Sequence, residues 1–115
     1  MISGIHMILY SKHAGAVRAF LDDILELPSV DAGGGWPIFG APPTELAVHP
    51  TDGAPEHELY LMCDDINAVV AKLSAKGVES TPIEDRGWGL VTTITIAGDE
   101  RLGLYEPRHP SPQRT

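Results

Sequence analysis

A histidine and a glutamate occupy matching positions in two related stretches of the sequence. When the chain is shifted by 52 residues against itself, His6 falls on Glu58. The further matches are Leu9 with Leu61, Ala16 with Ala68, Val17 with Val69, Ala19 with Ala71 and Leu21 with Leu73. Imidazole and carboxylate groups are both ligands for first-row metal ions. The repeat therefore places two groups capable of metal chemistry at equivalent points of two related halves.

Most of the aromatic side chains lie on or beside segments that are predicted as strands. They are Trp36, Phe39, Tyr60, Trp88 and Tyr105. Tyr60 and Tyr105 each carry a hydroxyl, and Trp36 and Trp88 lie in glycine-flanked segments that suit a flat wall for an aromatic or amphipathic guest. Ordinary core packing explains the same residues. A largely apolar pocket with acidic groups at its floor is the functional expectation.

The elements that must position these side chains begin, in the first half, with a strand and a helix. Gly4 to Ser11 is an apolar run that predicts a strand buried on both faces, where His6 would share a face with Tyr10. Ala14 to Leu27 has apolar residues at helical spacing and is followed by a proline. Two further strands are predicted, over Val30 to Gly40 and Thr44 to His49.

The second half repeats that order. His57 to Cys63 predicts a strand, and the next two aspartates supply N-cap chemistry for a helix that Gly77 can end. Leu90 to Ala97 and Leu102 to Tyr105 then predict a hairpin around a Gly-Asp turn. Neither half could bury its sheet alone. We predict one domain over residues 1–107, made of modules at about 4–50 and 56–107, with a flexible tail over residues 108–115.

Composition excludes several classes of partner. The formal charge of −8 argues against binding to nucleic acid or to an anionic membrane. No apolar run approaches the length that spans a bilayer, and the N-terminus lacks the pattern of a secretory signal. A single cysteine, Cys63, lies in an apolar run and is interpreted as structural. A cytoplasmic protein that acts on a small molecule is expected.

The order of elements, a strand, a helix and three strands repeated twice, resembles the vicinal oxygen chelate superfamily of glyoxalases, bleomycin-resistance proteins and extradiol dioxygenases. The resemblance covers roughly Gly4 to Pro107. Four local motifs carry it: Gly-Ile-His6-Met-Ile-Leu, Cys-Asp64-Asp65-Ile, Ala-Lys-Gly77-Val and Trp88-Gly89. It implies an α+β fold in which two βαβββ modules form a cupped mixed β-sheet around a pocket, and it implies a homodimer.

The resemblance also implies a metal site. Ligands in metal-dependent members come from the first and fourth strands of each half, which match His6, Glu45, Glu58 and Gly103 here. Gly103 departs from the pattern, because a glutamate is expected there. The first three would hold one divalent ion of iron, manganese, nickel or zinc, and Glu45 or Glu58 would move a proton. His49, on the face of Glu45, is a reserve ligand and a pocket residue.

Structural roles remain open for the same three residues. Glu45 can face solvent, Glu58 can form an ion pair with a nearby arginine or lysine, and His6 can be a hydrogen-bonded core histidine. Two functions follow from these alternatives. One is a metal-dependent lyase, isomerase or dioxygenase that acts on a substrate with vicinal oxygens. The other is a metal-free protein that sequesters a ligand in the manner of bleomycin-resistance proteins, for which the acidic charge would attract cationic drugs.

Overall fold

The structure is a computed structural model, and it describes residues 6–45, 47, 49–54 and 56–110. It divides into two compact units, Met1–Thr44 and Glu45–Thr115, which are called unit 1 and unit 2. Among the described residues, no helix combines the length and the apolar character needed to cross a membrane.

Unit 1 contains a helix and a small hairpin. Helix α1 spans Ala14–Ala19 and continues as a π-helical turn over Phe20–Ile24. Val17 and Phe20 are its buried side chains, as the helical spacing predicted. The turn closes with a bond from the amide of Leu25 to the carbonyl of Phe20, and the helical segment ends before Pro28.

The predicted strand over Val30 to Gly40 is instead a hairpin. Strand β1, Ser29–Asp31, pairs antiparallel with β2, Pro37–Phe39. The three glycines between them, Gly33 to Gly35, all have positive φ angles. Glycine adopts this conformation without the steric cost of a Cβ. The glycines therefore reverse the chain where one continuous strand was predicted.

Two further strand predictions in the first half are wrong for the residues that can be compared. Residues 6–11 form no strand, and Met7 and Tyr10 are 49% and 89% exposed. Gly4 and Ile5 lie outside the described residues. In the run from Thr44 to His49, residues 44, 45, 47 and 49 are not in a strand, and Leu46 and Val48 are not described. A strand exists through hydrogen bonds to a neighbour, and apolar character alone does not supply one.

Unit 2 has the predicted βαβββ order. Its elements are β3 at Tyr60–Met62, α2 at Ile66–Ala75, β4 at Glu84–Asp85, β5 at Gly89–Ala97 and β6 at Glu100–Pro107. The sheet order is β3-β6-β5-β4, with β3 parallel to β6 and the other pairs antiparallel. The predicted helix and hairpin are confirmed.

Helix α2 begins and ends with the predicted capping residues. The side chain of Asp65 accepts a hydrogen bond from the amide of Ala68 at 3.1 Å, which satisfies one of the free donors of the first turn. Gly77 ends the helix with φ of 81°, and the amide of Val78 bonds to the carbonyl of Leu73. These local signals explain why this helix was readable from the sequence.

Helix α2 packs against one face of the unit 2 sheet, and Tyr60 and Tyr105 lie on the opposite face. Leu102 and Leu104 of β6 and Ile94 of β5 are buried on the helix face, with Ile66 and Leu73 of α2 also in the core. Glu106 belongs to this face, since its carboxylate accepts the amide of Ile66 at 3.0 Å. The pKa of half-buried Cys63 is raised to about 11, mainly by burial, so its thiol is a poor nucleophile.

Candidate functional site

The opposite face of the sheet gathers three aromatic rings. Register pairs Tyr60 with Gly103 and Tyr105 with Val91, which puts both tyrosines on one face. Trp88 lies just before β5. Each pair of rings meets edge to face, with centroids 6.3 Å apart for Tyr60 and Trp88 and 5.6 Å apart for the other two pairs. We call these three rings the aromatic face.

The ring of Tyr60 lies directly over Gly103. A Cβ atom added at Gly103 would stand 2.6 Å from Cε1 and 3.2 Å from Cγ of that ring. Real Cβ atoms essentially never show a contact as short as 2.6 Å. The absence of a side chain at Gly103 is therefore what allows the ring of Tyr60 to pack against β6 and to contact Tyr105.

Glu45 binds the hydroxyl of Tyr105 from a mostly buried position. Tyr105 donates to Oε1 of Glu45 at 3.3 Å, and the Glu45 side chain is 14% exposed. The Nε2 atom of His109 lies 4.0 Å from the same Oε1 and 3.5 Å from the hydroxyl of Tyr105. This arrangement joins a carboxylate, a phenol and an imidazole at one edge of the aromatic face.

Charged side chains accompany the second tyrosine as well. The carboxylate of Glu58 lies near the Tyr60 hydroxyl and acts on it through its negative charge. Arg86 acts on Tyr60 through its charge and forms a 2.8 Å ion pair with Glu84. Both members of that pair are more than half exposed, so it contributes little to stability. Each tyrosine of the aromatic face thus has its own glutamate.

The acidity of the two tyrosines follows from these neighbours. Burial raises the pKa of Tyr60 above its usual value, and Glu58 raises it further, while Arg86 opposes the shift. Burial also raises the pKa of Tyr105, and Glu45 adds to the effect. Loss of a phenolic proton is disfavoured next to a carboxylate, because two negative charges would then face each other.

This predicts an alkaline limit to stability. Because folding raises both tyrosine pKa values, their neutral forms stabilise the fold fully at neutral pH, and that stabilisation is lost as the pH rises through the raised pKa values. Ultraviolet titration of phenolate should show that Tyr60→Phe and Tyr105→Phe each remove a late-titrating group. Removal of a group that titrates at the ordinary pKa of tyrosine would contradict the prediction.

A small cavity lies beside Tyr60. Its volume is about 90 Å³, which is far below the several hundred Å³ typical of a site that encloses a drug-sized molecule. Its walls are Tyr60, Thr81, Pro82, Glu84, Arg86, Val91, Thr92 and Thr93. Within unit 2, the open aromatic face is therefore a better place for a ligand body than this cavity.

The predicted site residues are divided between the two units. His6 and Trp36 belong to unit 1; both are exposed, and the guanidinium of Arg18 lies 5.3 Å from the centre of the Trp36 ring. His49 belongs to unit 2 and is exposed outside any strand. Of the predicted residues, the aromatic face brings together Tyr60, Trp88, Tyr105, Glu45 and Glu58.

The structure also shows partners that the sequence analysis missed. His109 was assigned to the tail, but its ring contacts Tyr105. The amide of Arg108 bonds to the carbonyl of Trp88 at 2.9 Å, which holds the chain against the sheet at this point. The prolines and polar residues around His109 gave no signal for this contact. Tail residues 111–115 lie outside the described part of the chain.

The residues of unit 2 do not fit the metal site that the resemblance implies. Within either unit, the described residues contain no group of three or more His, Cys, Asp or Glu side chains placed to hold a metal ion. Gly103 offers no donor atom, and the ring of Tyr60 fills the space that a glutamate there would need. Glu45 is already bonded to the hydroxyl of Tyr105.

Comparison with solved structures identifies the fold. TnmS3, an antibiotic-binding protein from a Streptomyces species, superposes with a TM-score of 0.61 at 16% identity, covering 92% of this chain and 97% of that one. A lactoylglutathione lyase from Agrobacterium tumefaciens gives a TM-score of 0.64 at 16% identity, with 91% and 94% covered. This chain has the vicinal oxygen chelate fold.

A third protein with the vicinal oxygen chelate fold, the fosfomycin resistance protein FosX from Listeria monocytogenes, gives a TM-score of 0.57 at 18% identity, with 92% and 94% covered. No family model and no curated protein sequence matches the chain. The structural similarity establishes a shared vicinal oxygen chelate fold. Because the sequence identity is this low and one fold hosts many functions, the similarity leaves the activity of this chain open. The predicted fold class is confirmed at that level.

Proposed function

We propose that this protein binds a flat, largely apolar small molecule against the aromatic face of unit 2 and does so without a metal ion. The observation that carries the proposal is the position of Tyr60, whose ring lies over Gly103 and turns a possible ligand position into part of an aromatic surface. Trp88 and Tyr60 are 42% and 37% exposed, so their rings are accessible to a guest.

Three features support binding as the function. Aromatic rings supply a large contact area at a small cost in conformational entropy. The hydroxyl of Tyr105 is hydrogen-bonded to Glu45, so this ring is held in place before a ligand arrives. The fold is also that of a protein described as antibiotic-binding, TnmS3, which shows that this architecture can hold a drug.

Tryptophan fluorescence provides a direct test. The chain has two tryptophans, so Trp36→Phe leaves Trp88 as the reporter. Titration of this variant with acridine, a flat and mostly neutral probe at pH 7.5, should quench the emission saturably, while free N-acetyltryptophanamide corrects for absorption by the probe. Trp88→Ala should weaken acridine binding by roughly tenfold or more, as expected for a central aromatic contact.

The control is Tyr10→Ala, which removes an aromatic residue that is 89% exposed in unit 1 and should leave the affinity unchanged. Absence of saturable quenching in the Trp36→Phe variant would overturn the proposal. Equal affinity of the wild type and Trp88→Ala would overturn the role of the aromatic face.

Metal content separates this proposal from the metal-dependent enzyme that the sequence predicted. Mass spectrometry of the purified, tag-free protein after reloading should find well below one metal ion per chain, and acridine binding should persist in chelator. About one first-row metal per chain, lost in both His6→Ala and Glu45→Ala, would instead establish the predicted ligand set and favour chemistry on vicinal-oxygen substrates.

We also propose a homodimer. Strand β3 lies at the edge of the unit 2 sheet, and Met62 on it is 39% exposed. An exposed edge strand with apolar side chains is a ready site for pairing with another chain. Light scattering should give twice the chain mass of 12.3 kDa over a range of concentrations, and a monomer mass throughout would contradict the proposal.

A further inference from the structure

We infer that the small cavity beside Tyr60 receives a neutral hydrogen-bonding group, such as a primary carboxamide, carried by the flat molecule on the aromatic face. The inference rests on the proposed function and names the ligand class, a flat aromatic amide. Tyr60 belongs both to the aromatic face and to the cavity wall, so a substituent of a ligand packed against its ring can enter the cavity. The volume of about 90 Å³ equals that of roughly three water molecules in the liquid, which suits a group the size of a carboxamide.

Strand pairing brings Thr93 to the cavity wall. Thr93 pairs with Gly103, and Gly103 pairs with Tyr60, so the three residues lie in one row across the sheet and on one face. The amide of Thr93 donates to Oγ1 of Thr81 at 3.0 Å, and its carbonyl accepts the Thr81 amide at 2.9 Å. The Thr93 hydroxyl has no hydrogen-bond partner among the described residues. The backbone therefore fixes Thr93, while its hydroxyl can still donate to a ligand and accept from it.

The other two threonines of the cavity wall have no proton left to donate. The Thr92 hydroxyl donates to the carbonyl of Thr81. Since a hydroxyl has one proton, Thr81 must be the donor in the 3.1 Å contact between the two hydroxyls. Both protons are thus used within the protein. Of the threonines in the cavity wall, Thr93 alone can supply a hydroxyl donor to a ligand.

The two charged residues of the wall favour a neutral group over an ion. Nε and Nη2 of Arg86 both lie against Oε2 of Glu84, at 2.9 and 2.8 Å. A guanidinium has five N–H donors and a carboxylate about four acceptor sites, so the pair keeps donors and acceptors for a ligand. A carboxylate in the cavity would be repelled by Glu84, and an ammonium group by Arg86. A carboxamide can use the donors and the acceptors of this neutral pair without meeting a like charge.

Three acridines with substituents of one shape test this inference. Acridine-2-carboxamide carries the proposed group, 2-isopropylacridine has the same shape without hydrogen-bonding atoms, and acridine-2-carboxylate is an anion of that shape. Calorimetry on the wild type should show that the carboxamide binds roughly tenfold tighter than the isopropyl compound, because an apolar group would leave the polar groups of the wall without partners. The carboxylate should bind more weakly than the carboxamide.

Thr93→Val removes the free hydroxyl and keeps the shape of the side chain. It should reduce the preference for the carboxamide over the isopropyl compound to within about threefold, since one hydrogen bond to the ligand is lost. The matched control is Thr95→Val, the same substitution two residues along β5 and on the same face, at a residue that is not part of the cavity wall. It should retain the full preference.

The outcomes separate the two proposals. If the wild type binds the carboxamide and the isopropyl compound equally well, the proposed function stands and the role of the cavity is overturned. Tightest binding of the carboxylate also overturns it, because the cavity would then select an anion. Full preference in Thr93→Val, or an equal loss in Thr95→Val, does the same. If acridine and all three derivatives fail to bind, the proposed function itself fails. The comparison of ligands on the wild type decides the inference even where a variant is unstable.

Discussion

Replacement of Gly103 by alanine is expected to destabilise the protein by about 1–3 kcal/mol, the usual cost of forcing extra atoms into a packed position. The new methyl group would stand 2.6 Å from Cε1 and 3.2 Å from Cγ of the Tyr60 ring. The ring must therefore rotate away from Gly103 and lose its edge contacts with Tyr105 and Trp88. Chemical denaturation measures the loss, and acridine binding should weaken with it.

A double-mutant cycle isolates the cause. In a Tyr60→Ala background, Gly103→Ala should be neutral or slightly stabilising, because alanine is better than glycine within a strand once the ring is gone. Gly15→Ala serves as a control of opposite sign: a Cβ there meets open space in helix α1, so we expect a gain of about 0.5–1 kcal/mol. Equal destabilisation by Gly103→Ala in both backgrounds would show that Tyr60 is not the obstacle.

Ile94→Ala is expected to lower the free energy of unfolding by about 2–5 kcal/mol. Ile94 has no exposed surface and lies on the helix face of β5, where its removal leaves a cavity among tightly packed neighbours. The loss includes the transfer free energy of the deleted carbons and the contacts that the remaining side chains can no longer make. A shift in the urea midpoint, with the slope unchanged, is the measurement.

The matched control is Ile8→Ala, the same substitution at a side chain that is 61% exposed. Little apolar surface is removed from water there on folding, so the change should stay within about 0.5 kcal/mol. A midpoint for Ile94→Ala that matches the wild type would mean that the helix side of the sheet is not the core of unit 2.

Helix α2 and the hairpin of β5 and β6 could be predicted because short-range sequence signals specify them. Asp65 and Gly77 bound helix α2 through hydrogen bonds that span only a few residues, and the turn at Gly98 joins β5 to β6 as the pattern indicated. The same local logic misled for residues 6–11 and for Val30 to Gly40. The first is apolar but forms no strand, and the second contains glycines that reverse the chain.

The candidate site was predicted in part. The sequence predicted Tyr60, Trp88 and Tyr105 as pocket residues, with a polar handle on each of the two tyrosines, and Glu45 and Glu58 as acidic groups at the pocket floor. Their roles as metal ligands stay predictions that metal analysis will decide. The sequence could not show that Glu45 binds Tyr105, because these two residues lie 60 positions apart in the chain and local patterns carry no information over that distance.

The sequence by itself determined the order of elements in unit 2, the ends of its helix, the hairpin and the likeness to the vicinal oxygen chelate fold. These depend on hydrogen bonds and side-chain periodicities within one segment. Only the tertiary structure decided that Tyr60 covers Gly103, because that contact follows from the parallel register of β3 against β6. A slip of one residue would turn Tyr60 to the other face, so the aromatic face exists through strand pairing.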